Sequence, residues 1–230
     1  MMEKRVYPER EKQWVFRMLI AVAGFYGGYA MLVRGGAFRN VQTGNLALCA
    51  LALGAGNWGQ AAYYLVPFTA YLLGSIASEL LLKYTQRPGR IGWSTVLILI
   101  EIGAVSVMGF IPASAPHRIC QVIINAICAM QFTTFRQAEG IGLSTTFCTN
   151  HMRQMGIALA GLISGNSKAE SLRIAGANGI MLLCFMVGAA AAAVICRFMG
   201  VKAIWCVLLP LVILFAALLK ADLKEKAAIQ

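Results

Sequence analysis

The chain has 230 residues, of which 59% are hydrophobic and only 13% are charged, and its mean hydropathy is +0.70. A water-soluble domain of this length needs a more polar surface, so the composition excludes an ordinary soluble protein and predicts an integral membrane protein. We attribute the net charge of +11 to Lys and Arg at the membrane surfaces, and we expect no binding of nucleic acid.

Apolar runs predict eight helices in a single transmembrane domain over residues 1–230. Six runs are close to the length of about 20 residues that a crossing of the bilayer needs, and two are shorter. We expect the polar ends at 1–13 and 220–230 to be partly frayed, and the first run to be a retained helix rather than a signal peptide. The long runs lie at 14–33, 61–83, 92–112, 118–138, 174–197 and 201–219, and the short runs at 43–56 and 149–164.

The distribution of positive charge favours six crossings over eight. If both short runs enter the membrane and return to the same side, more Lys and Arg lie on the cytoplasmic side than if every run crosses. The run at 43–56 would form a helix of about 21 Å, whereas the hydrocarbon core is about 30 Å thick. The sequence therefore predicts six spans with both termini in the cytoplasm, and leaves a tilted full crossing open for the second short run.

The two halves of the chain follow one plan. The stretch "GFYGGYAMLVRGGAFRNVQTGN" precedes the first short run, and "AMQFTTFRQAEGIGLSTTFCTN" precedes the second. In both, a long helix ends near an Arg, a connector with Gly follows, and a Thr begins the short helix. The repeats cover about 14–112 and 118–219. Three crossings between the short helices would invert the second copy, a plan that recurs in secondary transporters; chance similarity between apolar helices is the alternative.

The polar starts of the two short helices are the candidate solute site. If these N-termini met near the membrane midplane, their partial positive charges would favour an anion. Arg39 and Arg136 lie nearby, but we interpret both as ordinary anchors at the membrane interface. The residues that we expect to contact the solute are Thr43, Gly44, Asn45, Gln131, Thr149, Asn150, His151 and Arg153.

Glu101 is the candidate for proton coupling. It lies in the middle of the apolar stretch "STVLILIEIGAVSVMG", with no basic residue within one helical turn. A carboxylate at this depth is costly, so it is protonated, paired with another helix, or in contact with water. The alternative is a structural ion pair with Arg153. Glu79, by contrast, is explained by a pair with Lys83 four residues later.

Other residues indicate helix packing rather than chemistry. Gly24 and Gly28 form a small-xxx-small pair, and with Gly188 they predict close helix contacts, either within the chain or between subunits of a homo-oligomer. None of the seven cysteines forms a C-x-x-C pair, so we expect no metal site and no cofactor. No motif of a hydrolase, a nucleotide-binding protein or a metalloprotease is present, and we expect no enzyme activity.

The motifs "LVRGGAFRNVQTGN" and "MQFTTFRQAEGIGLSTTFCTN", together with Arg153, resemble the YoaK-like family of bacterial membrane proteins of unknown function. The resemblance covers about residues 14–219 and implies a protein of the bacterial inner membrane with about six spans. The chain departs from the family at two places. Asn150 and His151 stand where the family has Gly and Asn, and Gly27 and Gly28 stand where its first helix often carries an acidic residue.

The sequence therefore predicts an all-α membrane protein that acts as a proton-coupled secondary transporter of a small solute, with a preference for an anion or a weak acid. A passive channel for a small solute is the nearest alternative, because opposed short helices also line pores. A membrane scaffold or partner subunit without transport is the third interpretation.

Overall fold

Helices form almost all of the structure, a computed structural model that describes residues 7–35, 42–85, 91–165 and 167–229. Each of the eight predicted apolar runs contains a helix, since a helix satisfies the backbone hydrogen bonds of an apolar segment internally. The helices are α1 Gln13–Val33, α2 Gln42–Gly54, α3 Trp58–Thr85, α4 Trp93–Met108, α5 Arg118–Thr134, α6 Cys148–Ile163, α7 Lys168–Met199 and α8 Leu208–Ile229.

The run at 118–138 is not helical to its end. After α5, a two-residue hairpin pairs β1, Gln137–Ala138, with β2, Ile141–Gly142. The turn residues Glu139 and Gly140 have φ angles of 49° and 78°. Positive φ at both positions is the conformation of the two-residue turn that matches the twist of the strands.

The C-terminal segment differs from the prediction at both of its ends. A 3₁₀ segment, Gly200–Val207, precedes α8. The expectation of a frayed tail is wrong, because α8 continues to Ile229. Its Asp222 carboxylate accepts hydrogen bonds from the Gly92 N–H at 2.8 Å and the Thr95 hydroxyl at 2.6 Å. Asp222 thus supplies acceptors at the start of α4, where N–H groups have no partner within the helix.

Six helices connect the same two ends of the bundle. The first end contains the start of α1, where the Gln13 N–H and side-chain amide donate to the Glu139 carboxylate of the hairpin at 3.2 and 3.0 Å. The Trp93 indole N–H, at the start of α4, lies 3.0 Å from both the Ser78 hydroxyl of α3 and the Thr134 hydroxyl at the end of α5. The first end therefore gathers the starts of α1, α4 and α7 and the ends of α3, α5 and α8.

A 3₁₀ turn, Glu9–Glu11, also belongs to the first end. The Glu9 carboxylate accepts from the Trp14 indole N–H at 2.9 Å and pairs with Lys12 at 2.6 Å. Partial burial alone would raise the pKa of Glu9, but the hydrogen bonds from Lys12 and Trp14 outweigh it and lower the pKa below its ordinary value.

At the second end, Arg34 joins the end of α1 to the end of α4. Its guanidinium donates to the carbonyl oxygens of Ile111 at 2.6 Å and Pro112 at 2.9 Å, and to the Tyr29 hydroxyl at 2.9 Å. The Gln121 amide of α5 donates to the Arg34 carbonyl oxygen at 2.9 Å. A buried cation is stable here because it meets the negative end of the α4 dipole.

The closest helix contact joins α1 and α7, and it depends on the predicted glycines. A Cβ atom built on Gly24 would lie 2.2 Å from the Phe185 carbonyl oxygen, and one on Gly188 would lie 1.8 Å from the Ala21 carbonyl oxygen. A Cβ atom on Gly28 would lie 2.8 Å from the Ala192 side chain. Of the two alternatives, the glycines thus make contacts within the chain, where small residues let two helix backbones approach.

The helix contacts repeat when α1–α4 are exchanged with α5–α8. Helix α1 packs on α7, and correspondingly α5 packs on α3. The short helix α2 packs on α3, and the short helix α6 packs on α7. Helices α4 and α8, which are equivalent in the two halves, pack on each other. The two halves of the chain therefore have the same set of pairwise helix contacts.

Three helical stretches in the described ranges are long and apolar enough to cross a membrane: Gln13–Val33, Trp58–Thr85 and Lys168–Ala228. The third contains α7, the 3₁₀ segment and α8. Helix α4 is apolar but has only 16 residues, and α5 has 17. Length and composition thus support a membrane protein.

Candidate functional site

Glu101 lies at the centre of the bundle and contacts only uncharged groups. Its side chain is 0% exposed. One carboxylate oxygen accepts from the Tyr26 hydroxyl of α1 at 2.7 Å. The Gln131 amide nitrogen of α5 lies 2.8 and 2.7 Å from the two oxygens. Residues of three helices, α1, α4 and α5, thus converge on one carboxyl group.

Glu101, Tyr26 and Gln131 form a polar cluster, the Glu101 cluster, which apolar side chains surround. Along α4, the residues one turn before and one turn after it, Leu97, Ile98 and Val105, are fully buried. They keep this face of α4 against α1 and α5, so the Glu101 side chain is buried in this structure. A carboxylate in such surroundings loses its hydration, and hydrogen bonds from neutral donors replace only part of that stabilisation.

The predicted ion pair between Glu101 and Arg153 is wrong. Arg153 is exposed on α6, and its guanidinium donates to the Asn150 side chain at 3.1 Å. The predicted pair of Glu79 with Lys83 is also replaced, because Glu79 pairs with Arg136 at the end of α5. No cation contacts the Glu101 carboxylate within the ranges that the structure covers.

Helix α2 begins inside the bundle on the side of the second end. Its first residue, Gln42, donates to the Asn125 side-chain oxygen at 2.6 Å, and Asn125 lies seven residues after the start of α5, a depth of about 10 Å. Thr43 and Gly44 are exposed, whereas Asn45 is 2% exposed and donates to the Gln42 side chain at 3.2 Å. Arg39 lies outside the described residues.

Helix α6 begins inside the bundle on the side of the first end. His151 is 0% exposed and contacts the Asn178 side chain at 2.7 Å. Asn178 lies ten residues after the start of α7, a depth of about 15 Å. Thr149 is exposed and Asn150 is half-buried. Both short helices thus start at depth and return to the end from which the following long helix departs.

The structure does not bring the two predicted polar clusters together. The start of α2 contacts α5, and the start of α6 contacts α7. Helices α2 and α6 have no extensive contact with each other, since each packs on the long helix that follows it. Gln131 belongs to a third location, the Glu101 cluster. The eight predicted solute contacts therefore divide among three places in the bundle.

A pocket of about 410 Å³ lies beside the start of α6. Its polar lining includes Ser144, Asn150 and Gln154, and Arg136 contributes a positive charge. A second pocket of about 340 Å³ at the first end also includes Arg136 in its lining. Of the predicted solute contacts, Asn150 lines the first of these pockets, and Arg136 lines both.

Among the residues that the structure describes, three buried side-chain atoms lack a hydrogen-bond partner: the oxygen of Gln131 and the hydroxyls of Thr145 and Thr146. Buried polar atoms are rarely unpaired, so such atoms indicate a missing ligand, a missing water or a second conformation. Thr145 and Thr146 follow Ser144 in the connector that leads into α6. The unpaired atoms therefore occur at the Glu101 cluster and beside the start of α6.

The sequence analysis missed Tyr26, the connector hydroxyls and Arg34. A partner such as Tyr26 could have been predicted, because a carboxyl group in an apolar helix without a basic neighbour needs a hydroxyl or amide donor on a facing helix. The sequence also indicated a role for Arg34 at a helix end, since Arg34 directly precedes two consecutive glycines. No group of three His, Cys, Asp or Glu side chains in the described part of the chain is placed to hold a metal ion.

Comparison with known proteins identifies the family. A family model described as "Protein of unknown function (DUF1275)" matches residues 15–217, a region that includes Glu101 and both short helices. No curated protein sequence and no solved structure matches the chain. The matched family includes YoaK-like membrane proteins, which confirms the resemblance found in the sequence motifs. The chain therefore belongs to the DUF1275 family of membrane proteins.

Proposed function

We propose that this protein is a proton-coupled secondary transporter of a small solute, with a preference for an anion or a weak acid. The observation that carries the proposal is Glu101, a carboxyl group that is 0% exposed, lies at the junction of three helices and, within the described ranges, has Tyr26 and Gln131 as its polar partners. Ionisable groups at such depth in membrane proteins are costly and are typical of proton pathways.

Six membrane crossings would fit the two ends of the bundle. Each long helix connects the first end to the second, and the short helices enter from opposite ends. The first end carries most of the basic residues, so by the positive-inside rule it faces the cytoplasm and holds both termini. In a bacterial cell the membrane would be the inner membrane. The basic residues at the first end include Arg10, Lys12, Lys83, Arg136, Lys168, Arg173, Lys220 and Lys224.

The solute site that we propose lies beside the start of α6. The N-terminus of this helix carries partial positive charge, Arg153 adds a full charge on the same helix, and Arg136 adds a charge that its pair with Glu79 partly offsets. The pocket beside it offers the side chains of Ser144, Asn150 and Gln154. This chemistry suits an anion with several acceptor oxygens, such as an inorganic oxyanion or a small carboxylate.

The coupling of proton binding to solute movement would follow from the position of Glu101 between the two halves of the chain. Helix α4 belongs to the first half and α5 to the second, and the Gln131 amide connects them through the carboxylate. A proton on Glu101 removes the negative charge that binds this amide, so protonation weakens the contact between the halves. Movement of one half against the other would then expose the solute site to alternate sides of the membrane. We propose no enzymatic reaction for this chain.

The experiment measures proton entry into liposomes that contain the purified protein and a trapped pH-sensitive dye. Sulfate, phosphate, lactate or succinate is added outside in turn. We expect at least one anion to acidify the lumen, and Glu101→Gln to reduce the initial rate at least tenfold. Glu225→Gln, a change to an exposed carboxylate near the end of α8, is the matched control and should retain the full rate.

Two outcomes would contradict the proposal. If no anion moves protons in the wild type, proton-coupled anion transport is wrong. If Glu101→Gln transports protons with the anion as fast as the wild type, Glu101 is not the coupling group. Passage of an anion without any proton would instead identify a passive channel.

A further inference from the structure

The pocket beside the start of α6 has apolar side chains in its lining. Phe132 of α5 and Leu143 of the connector before α6 both line it. Phe132 is 40% exposed, so part of its ring is free to contact a ligand. Its ring packs edge to face against Phe147, with the ring centroids 5.0 Å apart. Phe147 in turn contacts the Tyr71 ring of α3 at 6.1 Å. The aromatic part of the lining is therefore held in position by its neighbours.

The same pocket has two side-chain amides, from residues one turn apart on α6. Both Asn150 and Gln154 line it. The Asn150 oxygen accepts from the Arg153 guanidinium at 3.1 Å. Because an arginine can only donate, this contact fixes the orientation of the Asn150 amide and leaves its nitrogen as a donor. The Gln154 amide makes no hydrogen bond to another residue that the structure describes. Two amide donors are thus available to a ligand.

Arg136 gives the pocket a positive charge that is only partly used. Its Nε atom donates to the Thr133 carbonyl oxygen at 2.6 Å, and its Nη2 atom pairs with Glu79. Within the described ranges, its second terminal nitrogen, Nη1, has no partner. None of the described residues that line the pocket is acidic. The pocket therefore combines N–H donors and a cation with an aromatic and aliphatic lining.

We propose that the solute of this site is an organic carboxylate that carries an apolar group, as an aromatic monocarboxylate does, rather than an inorganic oxyanion. This inference rests on the proposed function and narrows the class of anion at the same site. Phe132 and Leu143 would contact the apolar group. The carboxylate would accept hydrogen bonds from the Asn150 and Gln154 amides and from the Arg136 guanidinium, since charged acceptors form the stronger hydrogen bonds.

The size of the pocket favours an organic solute. Its volume of about 410 Å³ falls in the range of about 300–1,000 Å³ that is typical of pockets for small organic molecules. An inorganic oxyanion such as sulfate would fill a small part of this space and leave Phe132 and Leu143 beside water. An apolar group on the solute would cover these side chains, and the removal of apolar surface from water stabilises the complex. The apolar lining thus discriminates between anions of equal charge.

Equilibrium dialysis of radiolabelled benzoate tests the proposal on the full-length protein in lipid nanodiscs. Empty nanodiscs are the blank for benzoate that enters the lipid. Unlabelled benzamide and sulfate are the competitors, because benzamide has the ring without the charge and sulfate has the charge without the ring. We expect saturable binding of benzoate, competition by benzamide that is about tenfold weaker than by benzoate, and no displacement by sulfate at the concentration where unlabelled benzoate displaces half of the label.

Three results would overturn the inference. Sulfate that displaces benzoate as well as unlabelled benzoate does would show that the site recognises charge alone. Benzamide that competes as well as benzoate would show that the carboxylate is not recognised. Benzoate binding that does not exceed the blank would exclude an aromatic carboxylate as the solute.

Two variants connect the binding to this pocket. Phe132→Ala removes the exposed ring, and Arg136→Gln removes the charge; we expect each to weaken benzoate binding by about tenfold. Phe198→Ala, at an exposed phenylalanine near the end of α7, is the matched control and should bind benzoate as the wild type does. Wild-type affinity in both pocket variants would contradict the assignment to this pocket. The competition series on the wild type decides the class of anion by itself if a variant fails to fold.

The dialysis measures binding without flux, so this inference and the proposed function can fail separately. Benzoate binding in a protein that moves no protons with any anion would overturn proton-coupled transport alone. Proton entry with sulfate, in a protein that does not bind benzoate, would overturn the present inference alone.

Discussion

At the residue scale, buried polar side chains determine where this apolar bundle has chemistry. Glu101, His151 and Arg34 are each 0% exposed, and each is surrounded by neutral partners. They differ in what holds them: a hydroxyl and an amide for Glu101, a backbone carbonyl and the Asn178 side chain for His151, and the carbonyl oxygens after α4 for Arg34. Arg34 has no part in proton exchange, because an arginine remains charged.

We predict that Arg34 stabilises the fold and has no part in transport chemistry. Arg34→Met would leave the Ile111 and Pro112 carbonyl oxygens and the Tyr29 hydroxyl without their donor, and it should lower the free energy of unfolding by about 3 kcal/mol. The measurement is unfolding in detergent micelles. Arg153→Met, at an exposed arginine with one side-chain partner, should change stability by less than about 0.5 kcal/mol. Equal effects of the two changes would refute the assignment.

Much of the residue-scale chemistry could not be predicted from the sequence. Glu101 was recognisable because a carboxyl in an apolar run has few explanations. Its partners were not, since Tyr26 and Gln131 lie 75 and 30 residues away. The same limit explains the wrong pairs: Arg136 meets Glu79 across 57 residues, whereas the sequence suggested the local partner Lys83. The spacing of charges along the sequence does not show whether a side chain pairs with a neighbour on its own helix or with a residue of a distant helix.

At the element scale, the apolar runs predicted the positions of the helices well, and the errors lie where a turn ends a helix. The predicted first run, 14–33, differs from α1 by one residue, because a long apolar segment has no other way to satisfy its backbone. The run at 118–138 was extended too far, because α5 ends at Thr134 and the hairpin begins at Gln137. The turn at Glu139 and Gly140 was the local signal for the hairpin.

We predict that the contact between α1 and α7 tolerates no side chain at Gly188. Gly188→Ala should lower the free energy of unfolding by about 3 kcal/mol, because its Cβ atom would lie 1.8 Å from a backbone oxygen of α1. Gly176→Ala lies on the same helix and has no atom within 4 Å of its Cβ position, so it should be neutral or stabilise the protein by up to about 1 kcal/mol. Thermal unfolding of both variants in micelles compares them; a Gly188→Ala protein as stable as Gly176→Ala would show that the helices separate easily.

At the scale of the whole molecule, two halves with the same contact pattern surround the Glu101 cluster. The short helices α2 and α6 belong to opposite ends, and each packs on the long helix after it. The sequence predicts two inverted repeats because both short helices follow similar motifs, and this relation of the two halves stays a prediction. It could not predict that the two polar starts lie apart, since a motif repeats local structure and does not fix the distance between its copies.

We predict that the loops after the two short helices lie on opposite sides of the membrane. Asn57→Cys, between α2 and α3, should react with an impermeant maleimide added outside intact cells. Ser167→Cys, at the start of α7, should react only after the cells are opened. The wild type, whose seven cysteines lie in the helices, is the blank. Labelling of both positions from the same side would contradict the six-span arrangement.

The central claim is that Glu101 gains and loses a proton within the membrane, and infrared difference spectroscopy of the protein in lipid tests it most directly. The spectra at acidic and alkaline pH are subtracted, and the carbonyl band of a protonated carboxyl group is compared between the wild type and Glu101→Gln. We predict a band in the wild type that Glu101→Gln lacks and Glu225→Gln retains. Identical difference spectra for the wild type and Glu101→Gln would mean that this carboxyl does not exchange its proton, and the proposed coupling would be wrong.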